Sequence, residues 1–199
     1  MFNFLPEIEA LRNKILNCRK CNLCKTRNHV IFGEGNLHAG ILLIGEAPGR
    51  DEDIQGRPFV GLSGQLLDKI LAACGFTRDK HVFISNIVKC RPPGNRLPSD
   101  KEASVCMPWL TQQIEMINPQ ILVLLGATAL KHMAGPNYRI TRDHGKLINI
   151  RNRIAIPVYH PAALLRDPSL KRNTWEDYKV IFHKYREIVD TNHHSPHIQ

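Results

Sequence analysis

Cysteines are the first side chains in the chain whose spacing suggests chemistry. Cys18, Cys21 and Cys24 recur at three-residue intervals, and Cys90 and Cys106 follow much later. Thiols at such intervals can converge on a metal, and tetrahedral sites and iron–sulfur clusters usually take four protein ligands. Spacing alone nominates the first three thiols with Cys90 or Cys106 as the fourth ligand. Four thiolates suit a [4Fe–4S] cluster and zinc equally well.

A second group of polar residues follows apolar runs. Glu46 lies in "GEAPG", Asn86 in "SNIVKCRPP" and His160 in "YHPAALLR". Taken singly, each has a structural reading as a tight turn, a capping residue or a histidine satisfied within the fold. The first segment also lacks the glycine and lysine patterns of phosphate-binding loops. Only their combination points to a site.

The elements around these segments predict an α/β fold. Four apolar runs, "GILLIG", "HVFISNIV", "ILVLLG" and "RIAIPV", alternate with helical periodicity. Nearly continuous apolar strands of this kind are typical of a parallel sheet covered on both faces. We therefore expect a three-layer α/β/α domain around a central four-stranded parallel sheet. Ligands in such folds bind outside the carboxyl ends of the strands, so Glu46, Asn86 and His160 should share one cleft.

Two helix starts are expected from local signals. Ser99 and Glu102 form a capping box for the helix that precedes the third strand. Thr174 and Asp177 are expected to cap the last helix. At 199 residues the chain has the size of one domain, which we place at residues 1–189. The polar segment 190–199, with three histidines, is expected to be a disordered tail.

Charge narrows the class of partner. The net charge is +9, with basic runs at residues 12–27, 89–101 and 142–172, which favours a polyanion partner. No apolar stretch is long enough for a membrane span. The start, Met1–Glu9, lacks the basic residues of a signal peptide, so we expect a cytoplasmic protein whose cysteines are reduced thiols or metal ligands. We also expect a monomer.

Four motifs together resemble a known family. "FGEGN", "LIGEAPGRDEDIQGRPFVG", "SNIVKCRPPGNR" and "YHPAALLR" are similar, in order and spacing, to the motifs of the iron–sulfur (family 4) uracil-DNA glycosylases. The match runs from about Cys18 to Tyr185. The resemblance implies the fold of that superfamily. It also implies an enzyme of base-excision repair that flips uracil out of DNA and hydrolyses its N-glycosidic bond, leaving an abasic site.

The resemblance also implies how uracil would be held. Phe59 matches the residue that stacks on the base, and Asn86 matches the amide that reads its polar edge. His160 matches the donor to uracil O2, where negative charge grows as the bond breaks. The turn formed by Glu46, Ala47 and Pro48 would line the pocket.

The motifs do not single out one residue that would activate the attacking water molecule. Many members of the wider superfamily carry Asp or Asn at the position of Ala47, and this chain does not. Glu46, Asp51, Glu52 and Asp53 are the nearby carboxylates. We take Glu46 and Glu52 as the catalytic candidates.

The family pattern further suggests DNA contacts and metal ligands. Leu164 or Leu165 would enter the minor groove as an apolar wedge, although both could equally be packing residues. Arg166 would hold a phosphate, and Lys89 and Arg91 would lie beside the DNA path.

The same pattern selects four ligands for a [4Fe–4S] cluster, with zinc as the alternative: Cys18, Cys21, Cys90 and Cys106. It leaves Cys24 as a bystander, and Cys74 reads as a small core residue. Such a site would be structural and would take no redox step in the reaction.

Two other classes of function are compatible with parts of the sequence. A catalytically silent, cluster-bearing DNA-binding module associated with replication or repair proteins would explain the thiols and the charge. An electron-transfer protein would explain only the thiols. Neither accounts for Phe59, Asn86 and His160 together.

Overall fold

The structure is a computed structural model that describes residues 5–198. Strands and helices alternate along most of the chain. The strands are β1 (Glu34–Gly35), β2 (Ile41–Gly45), β3 (Val82–Asn86), β4 (Ile121–Leu125), β5 (Ile148–Ile150) and β6 (Arg153–Val158). The helices are α1 (Leu5–Leu16), α2 (Arg50–Gln55), α3 (Leu62–Ala73), α4 (Asp100–Ile117), α5 (Gly126–Ala134), α6 (Ile140–Asp143), α7 (Pro161–Arg166) and α8 (Leu170–Ile188).

One sheet has the order β1-β3-β2-β4-β6-β5. Its four central strands are parallel, which confirms the predicted α/β fold and its four-stranded parallel core. The edge strands β1 and β5 pair antiparallel with their neighbours and were not predicted. They are two and three residues long and only partly buried, so they carry no apolar run that a sequence pattern could detect.

Alternate residues of the central strands supply two separate cores. Leu42 and Ile44 of β2 pack in the core that also holds residues of α1, α4 and α5. Ile41 and Leu43 point to the opposite face, whose core holds residues of α3 and α8. This alternation follows from the two-residue period of a strand and produces the three layers.

Helix α4 begins as predicted. The Ser99 side chain accepts a hydrogen bond from the Glu102 N–H, and the Glu102 carboxylate accepts from the Ser99 N–H at 2.8 Å. Helix α8 begins earlier than predicted, at Leu170. Thr174 lies inside it and donates to the carbonyl of Leu170 at 2.9 Å, so the expected cap at Thr174 is wrong.

The segment after Asp190 also differs from the expected disordered tail. His193 is buried and stacks on Phe76 with ring centroids 4.5 Å apart, and its Nε2 lies 2.9 Å from the carbonyl oxygen of Cys74. Ile198 is buried in the core beside α3 and α8. Residues 190–198 therefore extend the packed unit beyond the predicted boundary at 189, because an imidazole ring can stack against an aromatic surface despite its polarity.

Among the residues described, no helix combines the length and apolar character that crossing a bilayer requires.

Candidate active site and cysteine site

A cleft of about 610 Å³ opens at the carboxyl ends of the parallel strands. Glu46 follows β2, Asn86 ends β3 and His160 follows β6, and all three line this cleft. Ala47, Pro48, Phe59 and Arg166 line it as well. The fold therefore brings Glu46, Asn86 and His160 into one cleft although they are far apart in the sequence. A second cleft of similar volume, lined by residues 118–120 and 151–154, lies at the amino ends of the strands and contains no residue with a predicted role.

His160 is the N-cap residue of α7, and this position sets its tautomer. Its Nδ1 accepts a hydrogen bond from the Ala162 N–H at 3.1 Å. In a neutral ring the proton must then reside on Nε2, which is left as a donor. Burial, with a smaller contribution from the positive charge of Arg166, lowers the pKa of His160 from 6.5 to about 4. At neutral pH this residue is a neutral hydrogen-bond donor.

This assignment predicts how His160 titrates. In a ¹⁵N NMR titration of histidine-labelled protein, His160 should retain the neutral Nε2–H pattern from pH 8 to well below the ordinary midpoint of 6.5. Because the folded-state pKa is depressed, the unfolded chain takes up this proton first as the pH falls. The contribution of His160 to stability should therefore be complete above pH 6.5 and decline towards pH 4. A midpoint near 6.5, or a proton on Nδ1, would contradict the assignment.

Phe59 is held in an uncommon backbone conformation beside His160. Its φ is 52°, and its ring centroid lies 5.6 Å from that of His160, with 31° between the rings. The Arg78 guanidinium donates to the carbonyls of Pro58 (2.9 Å) and Phe59 (2.6 Å). A side chain at Gly64 would come within 1.9 Å of the Phe59 carbonyl oxygen, so only glycine permits this approach. The loop is held from both sides, which stabilises the positive φ.

Asn86 is 2% exposed, and its Oδ1 has no hydrogen-bond partner within the described residues. Most buried polar atoms in native proteins are paired, and an exception calls for an explanation such as a ligand. Gly45 allows this amide to reach the Phe59 ring, because a Cβ at Gly45 would lie 2.3 Å from Oδ1 and 2.7 Å from the ring. The amide and the ring thus form one compact surface of the cleft.

The carboxylates near the cleft have different surroundings. Glu46 is partly exposed and accepts a hydrogen bond from the Thr128 hydroxyl. Glu52 also lines the cleft, but its carboxylate accepts the backbone N–H groups of Gly49, Val60 and Gly61 at 2.9 to 3.0 Å. Glu52 therefore organises the loop that carries Phe59, and Glu46 is the carboxylate better placed to meet a water.

The other two acids lie outside the cleft. Asp53 is fully buried and accepts hydrogen bonds from both backbone and side-chain N–H groups of Asn28 and from the backbone N–H of His29. Asp51 is exposed in the first turn of α2 and does not line the cleft. Neither position supports a role in activating a water.

Two of the residues predicted to contact DNA are buried in the structure. Lys89 is 1% exposed, and burial lowers the pKa of its ammonium to about 8. Leu164 is also 1% exposed and packs within the fold, whereas Leu165 is 46% exposed. Neighbouring helix positions point about 100° apart, so the two leucines face different surroundings and only Leu165 of the pair is accessible. Arg166 is exposed at the cleft.

The Pro-rich loop after β3 contributes cleft residues that the sequence reasoning missed. Asn95, Arg96 and Leu97 line the cleft, and Leu97 is exposed. Arg91, predicted to lie beside the DNA path, is partly exposed and donates from Nε to Asn95 Oδ1 at 2.7 Å. The sequence did contain a signal for these residues. The Pro and Gly residues predict a loop, and a loop that follows a parallel strand lies at the edge of the sheet where ligands bind.

The cysteines of the predicted metal site lie together. Cys18, Cys21, Cys90 and Cys106 line one small cavity between the N-terminal segment and α4, and Cys24 also borders it. Three N–H groups point at the sulfurs: Trp109 Nε1 donates to Cys18 (3.3 Å), Arg27 Nη1 to Cys90 (3.0 Å) and the Lys89 backbone to Cys106 (3.4 Å). Cys74 is remote and buried in the opposite core.

Four thiols around one cavity are the donor type that both zinc and iron–sulfur clusters take. Burial raises the pKa of the Cys90 thiol to about 11 and that of Cys106 above its ordinary value, so their thiolates would need a cationic partner. Within residues 5–198, no three Cys, His, Asp or Glu side chains approach one another closely enough to hold a metal ion.

Comparison with known proteins identifies the class to which this fold and site belong. The family model described as "Uracil DNA glycosylase superfamily" matches residues 32–179, and the chain belongs to that superfamily.

Several relatives carry the name "Type-4 uracil-DNA glycosylase". The protein of Sulfurisphaera tokodaii is 40% identical over 196 residues, covering 94% of this chain and 87% of the relative. That of Thermotoga maritima is 43% identical, covering 85% of this chain and 90% of the relative. That of Archaeoglobus fulgidus is 38% identical, covering 89% and 92%.

Proposed function

We propose that the chain is a type-4 uracil-DNA glycosylase that hydrolyses the bond between uracil and deoxyribose. The observation that carries the proposal is the arrangement in one cleft of the Phe59 ring, the His160 Nε2–H and the Asn86 amide, whose Oδ1 has no partner among the described residues. A stacked base is out of reach of such a cleft, so the nucleotide must be extruded from the helix. The net charge of +9 suits the DNA partner.

In the proposed reaction Phe59 stacks on the extruded uracil, and the Asn86 amide pairs with O4 and N3–H. Cytosine presents the reverse pattern of donor and acceptor and is rejected. As the bond between C1′ and N1 breaks, its electron pair passes to the uracil ring and charge grows on O2. The His160 Nε2–H stabilises that charge more than it stabilises the ground state.

Water then adds to C1′, and the proton that it loses passes through solvent to the uracil anion, which leaves as neutral uracil. Glu46 is the carboxylate we assign to orient this water, because Glu52 is engaged with three backbone N–H groups. Leu165 is the proposed wedge that replaces the extruded base, and Arg166 the phosphate contact beside it. We propose that the enzyme acts as a monomer and in the cytoplasm, where thiols remain reduced.

The cysteine site is proposed to hold a [4Fe–4S] cluster through Cys18, Cys21, Cys90 and Cys106. When bound, the cluster supplies four metal–thiolate links and takes no part in cleavage. These links tie the N-terminal segment to the loop that follows Asn86, so the cluster stabilises one wall of the cleft.

Release of uracil tests the activity. The parent protein should release uracil from an oligonucleotide with one labelled uracil and leave an alkali-labile abasic site. It should not release cytosine from the matched strand. A parent that binds this DNA but releases no base would be a DNA-binding module instead.

Two single cysteine variants test the presence and the ligands of the cluster. Anaerobically purified protein should show the broad visible absorption of an iron–sulfur cluster and about four iron atoms per chain. Cys90→Ser should lose both the absorption and the iron, because it removes a ligand. Cys24→Ser should retain both, because the family pattern leaves Cys24 out of the ligand set although it lines the same cavity. Stoichiometric zinc without iron would overturn the cluster, and equal losses in the two variants would overturn the ligand set.

A further inference from the structure

Lys89 is a charged side chain buried between the two sites. Its ammonium donates to the Ser85 hydroxyl at 2.6 Å, to Gln113 Oε1 at 2.7 Å and to the backbone carbonyl of Asn86 at 2.8 Å. These three bonds use all three donors of a lysine. Within the described residues Lys89 forms no ion pair. A buried cation without a carboxylate is costly and requires good geometry from its neutral acceptors.

Those acceptors are themselves anchored to different parts of the fold. Gln113 projects from α4 and donates to the carbonyl of Phe32 at 2.7 Å, and Ser85 donates to Gln113 at 3.0 Å. The backbone N–H of Lys89 donates to Cys106. Lys89 thus joins the end of β3, helix α4 and the cysteine site.

The bond to Asn86 has a consequence for uracil recognition. Among residues 5–198, Asn86 Oδ1 has no hydrogen-bond partner, so its orientation depends on the backbone and on packing. The Lys89 ammonium donates a hydrogen bond to the backbone carbonyl of Asn86. The backbone N–H groups of Ile87 and Val88, which follow Asn86, donate to the carbonyls of Gly45 and Glu46. The backbone that carries the reading amide is therefore held from one side by Lys89 and from the other by β2.

We propose that Lys89 is a positioning residue that holds Asn86 in the orientation required to read uracil. This inference rests on the proposed function. It replaces the expected DNA contact of Lys89 with an internal role, in which the lysine aligns the amide from behind without touching the base.

The test compares Lys89→Met, which keeps the length of the side chain and removes its donors, with Ser85→Ala. The latter removes one acceptor of the same network but leaves the bond between Lys89 and Asn86 intact. Lys89→Met should lower the single-turnover rate of uracil release by about 100-fold, as expected for a misplaced binding group. Ser85→Ala should lower the thermal midpoint with little change in rate. Lys69→Met, at an exposed lysine of α3, controls for the lost charge.

A binding measurement separates positioning from general damage. The probe is a duplex with an uncleavable 2′-fluorinated deoxyuridine, compared with the same duplex containing cytosine. The preference of Lys89→Met for the uracil duplex should fall about 10-fold, with unchanged affinity for the cytosine duplex and unchanged iron content. If Lys89→Met does not fold, the double variant Lys89→Met/Gln113→Leu is measured in its place. The second substitution removes Gln113 Oε1, the acceptor that loses its lysine donor.

Three outcomes would overturn the proposal: a parental rate in the lysine variant, a rate loss that merely follows the thermal midpoint across both network variants, or a rate loss that accompanies loss of iron. A parent protein that releases no uracil would instead refute the proposed function. The two failures are therefore distinguishable.

Discussion

Replacing His160 with alanine is expected to lower the single-turnover rate of uracil release by about 100- to 1000-fold, the usual consequence of losing one donor to a developing negative charge. The reason is geometric. The Ala162 N–H occupies Nδ1, which leaves Nε2–H directed to the cleft, and burial keeps the ring neutral. A neutral donor stabilises uracil O2 most when charge has developed there, so the rate should fall more than the affinity for DNA.

Two further variants isolate this effect from folding. His160 also caps α7, so alanine should cost about 1 kcal/mol of stability. His160→Asn should restore the cap, because asparagine is a good N-cap residue, yet remain slow, because its side chain does not reproduce the Nε2–H donor. His132→Ala, on α5 outside the cleft, should cleave like the parent. The assignment fails if His160→Asn is fast, or if His160→Ala retains a rate within a few-fold of the parent.

Asn86→Ala should be the second severe variant, and it should lower activity without lowering stability. Without the amide, O4 and N3–H of an extruded uracil are buried without partners. Each unpaired group costs about 1–3 kcal/mol, so the rate should fall by about 100-fold or more. In the free protein, however, the substitution removes a buried oxygen that has no hydrogen-bond partner in the described part of the chain. The free energy of unfolding should therefore stay the same or rise.

Chemical denaturation of the parent and Asn86→Ala, in parallel with uracil release, measures both quantities. A gain or no change in stability together with a large loss of rate is characteristic of a residue retained for function. A variant that is markedly less stable would show that Asn86 is a structural residue. A variant that releases uracil at the parental rate would show that Asn86 does not recognise the base. The affinity for undamaged DNA should be the same in both proteins.

Local sequence signals predicted the elements that need only neighbouring residues. The capping box of α4 depends on Ser99 and Glu102, three positions apart, and it formed as predicted. The four parallel strands were visible because they are buried on both faces over most of their length and are therefore nearly continuously apolar. The edge strands β1 and β5 were missed because strands of two and three residues leave no periodic pattern. The start of α8 was misplaced because Thr174 and Asp177 resemble a helix cap but lie inside the helix.

Long-range packing decided the positions that the sequence left open or led us to misplace. Lys89 is basic and lies in a basic run, but Gln113 of α4 and Ser85 of β3 enclose it. Leu164 and Leu165 are equivalent in sequence, and only the packing of α7 buries one and exposes the other. His193 belongs to a polar segment, yet Phe76 provides an aromatic surface on which it stacks.

By itself the sequence determined the order of the strands and helices and, through the resemblance of its motifs, the candidate residues for chemistry. Residue type and short spacing suffice for those inferences, because they depend on local backbone preferences and on shared motifs. Only the tertiary structure decided which charged side chain is buried, which leucine is exposed and which amide lacks a partner. Burial and pairing depend on residues far away in the chain that the fold brings alongside, so no local pattern contains them.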